Sequence, residues 1–181
     1  MTLGEYLGKL KGGDGSPPRV PLSEVWWSFV GSLLGIGACA FLSAAYFEPR
    51  DLPLLIGSFG ASAVLVYGAI KSPLAQPRNL IGGHVISALV GVACYKLLGG
   101  APWISAALGV SLAIVSMLLT KTLHPPGGAT ALIAVIGGKQ IHEMGFLYAL
   151  LPAGFGAAIL LLVALVVNNL CGHRKYPEYW L

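Results

Sequence analysis

Charged residues are scarce in this sequence, and their scarcity excludes an ordinary soluble domain. Only 10% of the 181 residues are Asp, Glu, Lys or Arg, and 56% are hydrophobic, whereas a soluble domain has roughly 25% charged residues. Several apolar runs approach or exceed the roughly 20 residues that a helix needs to cross a bilayer. The composition therefore predicts an all-α, polytopic membrane helix bundle whose partner is the lipid bilayer and not a nucleic acid.

Acidic residues are missing from the middle of every apolar run. All seven lie in termini, loops or span edges: Glu5, Asp14, Glu24, Glu48, Asp51, Glu143 and Glu178. Cation channels and carriers usually need carboxylates or many carbonyl groups at membrane depth to replace the hydration shell of the ion. The net charge is +4. These observations favour a small anion over a cation as substrate.

Cysteine is also rare, with three widely spaced copies at positions 39, 94 and 171. They match neither a disulfide framework nor a metal-binding motif. An intramembrane enzyme acting on a lipid or polyprenyl group would need paired acids or a metal at membrane depth, and neither is visible. We therefore expect no metal, no cofactor and no enzymatic activity.

The apolar runs predict five to six membrane elements between residues 24 and 172. Four are long spans, at residues 25–47, 80–98, 102–120 and 146–169. Two are short or broken and have Gly-rich starts: residues 53–70, weakened by Gly57 and Gly60, and the apolar piece 128–136, which is too short to cross alone. A polar tail (residues 1–23) precedes the bundle, and a basic and aromatic tail (residues 173–181) follows it.

Basic residues predict the orientation of the bundle. If the segment around residues 124–140 crosses, both termini share a side that carries eight of the eleven basic residues: Lys9, Lys11, Arg19, Lys71, Arg78, Lys121, Arg174 and Lys175. If that segment dips and returns, the distribution becomes seven against four. Because positive charge accumulates on the cytoplasmic side, the first arrangement with both termini cytoplasmic is slightly favoured.

One short pattern occurs twice within the apolar part of the chain. GASAVLV at residues 60–66 is similar to GATALIA at 128–134, and each copy follows residues that disfavour a helix, GSF at 57–59 and HPPG at 124–127. A helix that starts inside a bilayer exposes free N–H groups with positive partial charge at its first turn. Two such half-helix starts, each with a hydroxyl, predict a cradle for an anion.

The candidate substrate-binding residues are those of the two helix starts and two histidines: Ser58, Gly60, Ala61, Ser62, Gly127, Gly128, Ala129, Thr130, His84 and His124. A second interpretation of Ser58, Ser62 and Thr130 stays open, namely bonding to their own helices or close helix packing.

The two histidines have different expected roles. His84 lies within a span, so it either lines the route, donates to the anion or carries an accompanying proton, or it is a neutral histidine bonded to a backbone carbonyl. His124 precedes two prolines that push its backbone away from helix, so we expect a structural and gating role. Lys71, Arg78 and Asn79 are predicted at the pore mouth, where positive charge raises the local anion concentration.

Together these motifs resemble the HPP family of integral membrane proteins, which is named for a His-Pro-Pro motif. The matching segments are residues 57–65 (GSFGASAVL), 72–79 (SPLAQPRN), 82–84 (GGH) and 124–132 (HPPGGATAL), in the family's order. The resemblance implies a membrane transport protein, with nitrite as the expected substrate because similar chloroplast and cyanobacterial members act in nitrite transport. Lys71 departs from the family pattern, which has a small or apolar residue there. No plastid-targeting extension is evident, so the expected location is the inner (plasma) membrane of a bacterium.

The sequence thus predicts a transporter or channel for a small inorganic anion, most of all nitrite. A homo-oligomer, with a dimer as the first guess, is expected because a bundle this small can hardly enclose a wide pore. Two alternatives from other classes remain: a structural or assembly subunit without substrate, and the lipid-modifying enzyme considered above. Nitrate and formate, a channel or a carrier, and the movement of protons are left open.

Overall fold

The computed structural model describes residues 1–13 and 15–181, and within these ranges every regular element is helical. The elements are α1 (Leu3–Lys9), α2 (Leu22–Leu42), α3 (Ser58–Ala63), α4 (Pro77–Leu98), α5 (Pro102–Leu119), α6 (Pro125–Ile136), α7 (Gly138–Met144) and α8 (Phe155–Leu170). Four helical stretches are long and apolar enough to cross a membrane: Leu22–Arg50, Pro77–Leu98, Pro102–Leu119 and Gly138–Leu170. The prediction of an all-α membrane helix bundle is confirmed.

Proline fixes the start of three of these helices. α4, α5 and α6 begin at Pro77, Pro102 and Pro125. The first position of a helix suits proline because its amide nitrogen would have no partner within the helix and its φ is already helical. The end of α2 is also set by the local backbone. The helix continues through a π-helical turn and a 3-10 turn to Arg50, and the left-handed φ of 55° at Asp51 then ends the helical path.

Two apolar helices are short. The first is the stretch Ser58–Gly68, in which α3 continues through a π-helical turn (Val64–Gly68). The second is α6. At about 1.5 Å per residue each is roughly 17 Å long, about half of the hydrocarbon layer. Residues 53–57, which begin the predicted element 53–70, are not helical.

The last predicted span is not one continuous helix. Residues 145–149 form a 3-10 turn and Leu150–Gly154 a π-helical turn, and α8 starts only at Phe155. Leu151 has non-helical angles of φ −127° and ψ 124°. The reason is Pro152, since the ring of a proline disfavours helix at the residue before it. The predicted span 146–169 therefore lies within the helical stretch Gly138–Leu170, but its first turns are not α-helical.

Small residues allow the helices to approach backbone to backbone. A Cβ placed on Gly91 of α4 would lie 2.5 Å from the carbonyl oxygen of Ala131 in α6. Gly127 at the start of α6 is packed against α4 and α5, where an added Cβ would lie 2.6 Å from Ser87 Oγ and 2.8 Å from Met117 Sδ. Such close approach is typical of membrane helix bundles.

Hydrogen bonds place four chain segments at one end of the bundle, which we call the Arg174 end. Arg174 is only 6% exposed and pairs with Glu24 at the start of α2, with 3.0 Å between Nη2 and Oε2. Its Nη1 also donates to the carbonyl of Tyr67, near the end of the short helix, at 3.3 Å. Tyr176 donates to the carbonyl of Ala75 at 2.7 Å. The predicted tail 173–181 thus packs on the bundle through Arg174 and Tyr176.

The segment between α5 and α6 lies at the same end. Arg78 donates to the carbonyl of Thr120 and Asn79 to that of Leu123, both at 2.8 Å. At the opposite end, a Cβ on Gly145 would lie 3.5 Å from Cε of Lys96. The start of α2, residues 69–79, residues 120–124 and the C-terminal segment therefore share one end of the bundle.

Candidate functional site

Five of the predicted site residues form one buried hydrogen-bonded group, which we call the histidine cluster. α3 contributes two serines, α4 one histidine, α6 one threonine, and the residue before α6 the second histidine. Its members are Ser58, Ser62, His84, His124 and Thr130. Each side chain is at most 1% exposed.

Ser62 lies between the two histidines. Its Oγ is 2.7 Å from Nε2 of His84 and 2.9 Å from Nε2 of His124. The other ring nitrogen of His124, Nδ1, lies 2.8 Å from the carbonyl oxygen of Leu74. The segment between Ser72 and Gln76 thereby closes the cluster at the Arg174 end.

The hydrogen-bonded chain continues from His84 toward the start of α3. Nδ1 of His84 is 2.7 Å from Oγ1 of Thr130, which in turn is 2.9 Å from Oγ of Ser58. Since the helical stretch Ser58–Gly68 runs toward the Arg174 end, Ser58 lies about 15 Å deeper along that helix than Gly68. The hydrogen bonds of the cluster therefore form one chain, which runs from Ser58, deep in the bundle, to the loop that contains Leu74.

The partner of His124 determines which nitrogen of its ring carries hydrogen. A carbonyl oxygen can only accept, so Nδ1 of His124 must donate to Leu74. In a neutral imidazole the other nitrogen is then an acceptor. Nε2 of His124 must therefore accept the single hydrogen of the Ser62 hydroxyl.

The same reasoning fixes the remaining donors. Because the Ser62 hydrogen is already used, its oxygen accepts from Nε2–H of His84, and Nδ1 of His84 is left as an acceptor. Thr130 is then the donor to His84. The same hydroxyl is also placed to donate to Ser58 at 2.9 Å and to the carbonyl of Pro126 at 3.2 Å, so its one hydrogen has three acceptors. In the neutral cluster the donors that meet the two histidines thus point in one order, from Thr130 toward Leu74.

The walls of the cluster are apolar or aromatic. The ring of Phe59, which is fully buried, meets His84 edge-on with 5.3 Å between the ring centres, and the two histidine rings are 5.2 Å apart. The hydroxyl of Tyr148 donates to the carbonyl of Thr130 at 3.1 Å. Within the described ranges no charged side chain hydrogen-bonds to the cluster.

Local sequence explains how His124 reaches this position. It precedes the Pro125-Pro126 pair and has extended angles, φ −141° and ψ 106°, as a residue before proline should. Its backbone passes close to α4, where a Cβ on Gly83 would lie 2.5 Å from Cβ of His124 and 2.9 Å from the carbonyl of Thr122. Glycine at position 83 is thus what lets the His124 segment approach His84.

The predicted cradle of free amides is wrong at α6. The helix begins at Pro125, so Thr130 is its sixth residue and lies beyond the first turn. Pro125 and Pro126 have no N–H group, and the N–H of Gly127 is bonded to the carbonyl of His124 at 2.8 Å. The polar groups that α6 presents to the cluster are side chains, not amides.

The amides at the start of α3 are also occupied. Phe59 N–H donates to Ile56 and Gly60 N–H to Gly57, at 3.0 and 3.2 Å. Gly60 and Ala61 are exposed on the outer face of the short helix, and a Cβ on Gly60 would meet nothing within 4 Å.

The remaining predicted substrate residues belong to helix packing. Gly127 lies between α4 and α5, as described above. Gly128 and Ala129 are half-buried, and a Cβ on Gly128 would contact Val110 at 3.8 Å. The structure therefore brings five of the ten predicted substrate residues together and places the other five elsewhere.

The predicted pore-mouth residues lie at the Arg174 end. Arg78 and Asn79 tie the start of α4 to residues 120–123, next to the segment that carries His124. Lys71 is exposed and lines a cleft of about 680 Å³ together with Glu24, His173 and Arg174. None of the five cluster residues lines that cleft.

Sequence reasoning missed two members of the site, the Leu74 carbonyl and Tyr148. Leu74 lies inside segment 72–79, which resembles the HPP family, but no residue pattern predicts that a main-chain oxygen will bind a histidine. The described residues contain no group of three or more His, Cys, Asp or Glu side chains that could hold a metal ion. Two histidines with hydroxyl neighbours are a poor zinc site.

The helical architecture and the buried polar cluster define a multi-pass membrane protein with a polar site inside the bundle. The family described as HPP, transmembrane region, matches residues 17–177, and the chain therefore belongs to the HPP family.

Two transmembrane proteins of Dictyostelium discoideum are similar to this chain. One is 48% identical over 179 residues, which cover 97% of this chain and 57% of that protein. The other is 46% identical over 172 residues, which cover 93% of this chain and 60% of that protein. The chain thus spans less than two thirds of the length of these curated relatives. No solved structure matches it.

Proposed function

We propose that this HPP-family protein transports a small inorganic anion, with nitrite as the first candidate, and that the anion binds at the histidine cluster. One observation carries the proposal: two histidines and three hydroxyls from α3, α4, α6 and the residue before α6 meet in a buried group with no charged side chain bonded to it in the described ranges. Ionisable residues inside a membrane bundle are costly and are a functional-site hypothesis by default.

The chemistry of the cluster suits a monovalent anion with oxygen acceptors. Imidazole N–H and hydroxyl groups donate hydrogen bonds, and nitrite accepts them at either oxygen. In the present arrangement each donor is used within the cluster. Two hydroxyls have alternative partners in their own helices, since Thr130 Oγ1 lies 3.2 Å from the carbonyl of Pro126 and Ser62 Oγ 3.3 Å from that of Ser58. Rotation of these hydroxyls frees Nδ1 of His84 and Nε2 of His124, and either nitrogen becomes an N–H donor to the anion once it takes up a proton.

The proposal includes a route and an orientation. Arg78 and Lys71 at the Arg174 end would concentrate anions there. We assign that end to the cytoplasm and the protein to an inner (plasma) membrane, because most basic residues lie at that end. A homodimer remains the proposed assembly.

A structural subunit without substrate is the second candidate, because every polar atom of the cluster has a partner, as a purely structural network also requires. Uptake by proteoliposomes that contain the purified chain separates the two. We expect nitrite uptake above that of empty liposomes, with nitrate, formate and chloride defining the selectivity.

A matched pair of variants ties uptake to the cluster. Thr130→Val keeps the shape of the side chain but removes the hydroxyl, and we expect uptake to fall by about tenfold or more, since the histidine and Ser58 lose their partner. Thr130→Ser keeps the hydroxyl and should retain most uptake. If folded wild-type protein takes up none of the four anions, the structural role is the better account.

A further inference from the structure

We propose that the histidine cluster also binds one excess proton, which His84 and His124 share through Ser62, and that this proton crosses the membrane together with the anion. The inference rests on the proposed transport function and names its coupling ion. It is carried by the geometry of an unbroken chain of five side chains with all contacts between 2.7 and 2.9 Å.

The order of donors gives the proton an entrance at Thr130. A proton that arrives on the Thr130 oxygen lets Thr130 pass its own hydrogen to Nδ1 of His84. One O–H bond forms and one breaks at Thr130, and one N–H bond forms at His84. The result is an imidazolium at His84 with hydrogen on both nitrogens, and nothing else in the cluster changes charge.

Ser62 then allows the charge to move between the rings. His84 gives its Nε2 hydrogen to the Ser62 oxygen, which releases its own hydrogen to Nε2 of His124. His84 returns to neutral, and His124 becomes the imidazolium. Through both steps Nδ1–H of His124 stays bonded to Leu74. Release at the Arg174 end requires this bond to break, after which Nδ1 gives its hydrogen to water and His124 returns to neutral.

Electrostatics couples the proton to the anion. The cluster is buried and its walls are apolar, so either charge alone would be strongly penalised by desolvation. An imidazolium next to a monovalent anion forms a neutral pair, and each charge reduces the cost of the other. Binding of one ligand therefore raises the affinity for the other by the same factor.

The other groups near the cluster do not supply the positive charge that pairs with the anion. Tyr148, from the 3-10 turn before α8, is the titratable side chain that hydrogen-bonds to the backbone of Thr130, and its hydroxyl is a donor there. Phe59 from α3 contributes only a ring edge. Arg78 of α4 is bonded to Thr120, and Lys71 is exposed.

Purified full-length chain in proteoliposomes tests the inference, with nitrite uptake and internal pH recorded together. Initial rates are measured near neutral pH, and uptake by empty liposomes is subtracted because nitrous acid crosses bilayers by itself. We expect an alkaline interior to drive protein-dependent nitrite accumulation, about tenfold for one pH unit at a ratio of one proton per anion. A potential set with potassium and valinomycin should have no effect, because the pair is neutral.

Variants assign the proton to the cluster. In His84→Gln the amide can still hydrogen-bond but cannot take an extra proton, so pH-driven accumulation should disappear. His142→Gln is the matched control, since His142 stacks on Tyr95 and hydrogen-bonds to the carbonyl of Val135 and not to a cluster residue, and it should behave as wild type. If His84→Gln does not fold, as judged by gel filtration and thermal unfolding, Ser62→Ala interrupts the same transfer.

The outcomes separate this inference from the proposed function. Nitrite flux that follows the membrane potential and ignores the pH gradient overturns the proton but leaves anion transport standing. Folded protein without flux of any of the four anions overturns both. Wild-type coupling in folded His84→Gln or Ser62→Ala places the proton elsewhere and overturns the inference.

Discussion

At the residue scale, Ser62 is the hydroxyl on which both histidines depend. In Ser62→Ala the Nε2 atoms of His84 and His124 both lose a buried partner. An unpaired buried polar group costs about 1–3 kcal/mol. We therefore expect a clearly lower midpoint of thermal unfolding for this variant in detergent.

Ser105→Ala provides the control for Ser62→Ala. Ser105 is fully buried as well, but its hydroxyl has no hydrogen-bond partner. Removing it should leave the unfolding midpoint unchanged or raise it. Equal midpoints for the two variants would show that the contacts of Ser62 do not stabilise the fold.

The identity of the cluster residues was predictable, but their pairing was not. Ser62, His84, His124 and Thr130 each lie in a motif that the sequence singles out. Which nitrogen meets which hydroxyl depends on how three helices are placed against each other. That placement is set by contacts such as Gly83 against His124, which no single segment of the sequence encodes.

At the element scale, the glycines and prolines of the sequence predict the two short helices. They do not predict where α6 begins, because proline is usually taken as a residue that interrupts a helix. Pro125 and Pro126 look like residues that delay a helix until Gly128. In the structure they occupy its first two positions, where proline is well tolerated. This shift of three residues moves Thr130 out of the first turn and removes the predicted amide cradle.

The contact between α4 and α6 holds the two histidines in place, and Gly91 is its closest point. Gly91→Ala would put a Cβ 2.5 Å from a backbone oxygen of Ala131, which cannot move away without shifting α6. Overpacking of this kind costs about 1–3 kcal/mol. We expect a lower unfolding midpoint and weaker nitrite uptake, measured on the same preparation.

Gly37→Ala in α2 is the matched substitution for Gly91→Ala. A Cβ on Gly37 would meet nothing within 4 Å, and alanine favours a helix over glycine by about 1 kcal/mol. This variant should unfold at the same temperature as wild type or higher. A midpoint for Gly91→Ala that equals that of Gly37→Ala would contradict the close packing of α4 on α6.

At the scale of the whole molecule, composition predicted the membrane class, while the path of the chain needed tertiary contacts. The sequence left open whether residues 124–140 cross or dip. In the structure the loop at residues 120–123 and Arg174 lie at the same end of the bundle, and Gly145 lies beside Lys96 at the other. The chain between Thr120 and Arg174 therefore reaches the far end and returns, which agrees with the favoured arrangement.

This path predicts on which side two exposed lysines lie. Lys175 follows Arg174 and should be cytoplasmic, whereas Lys139, at the start of α7, should face the opposite side. Lys175→Cys and Lys139→Cys can be tested with a membrane-impermeant maleimide on right-side-out and inverted vesicles. The three native cysteines are buried and free, so wild-type protein gives the background.

We expect Lys175→Cys to react only in inverted vesicles and Lys139→Cys only in right-side-out vesicles. Reaction of both on the same side would mean that residues 146–169 do not cross, against the contacts that place Gly145 beside Lys96 and join Arg174 to Glu24. The reverse pattern is expected if the Arg174 end faces outward, or if the segment with α6 and α7 dips and returns, because a dip moves Lys139 to the side of Lys121 and Lys175 to the other side. Lys121→Cys separates the two cases, since it shares the side of Lys175 in the first and that of Lys139 in the second. With the Arg174 end outside, the carbonyl of Leu74 would face away from the cytoplasm, and the excess proton of the histidine cluster would enter at Thr130 from the cytoplasmic half of the bundle.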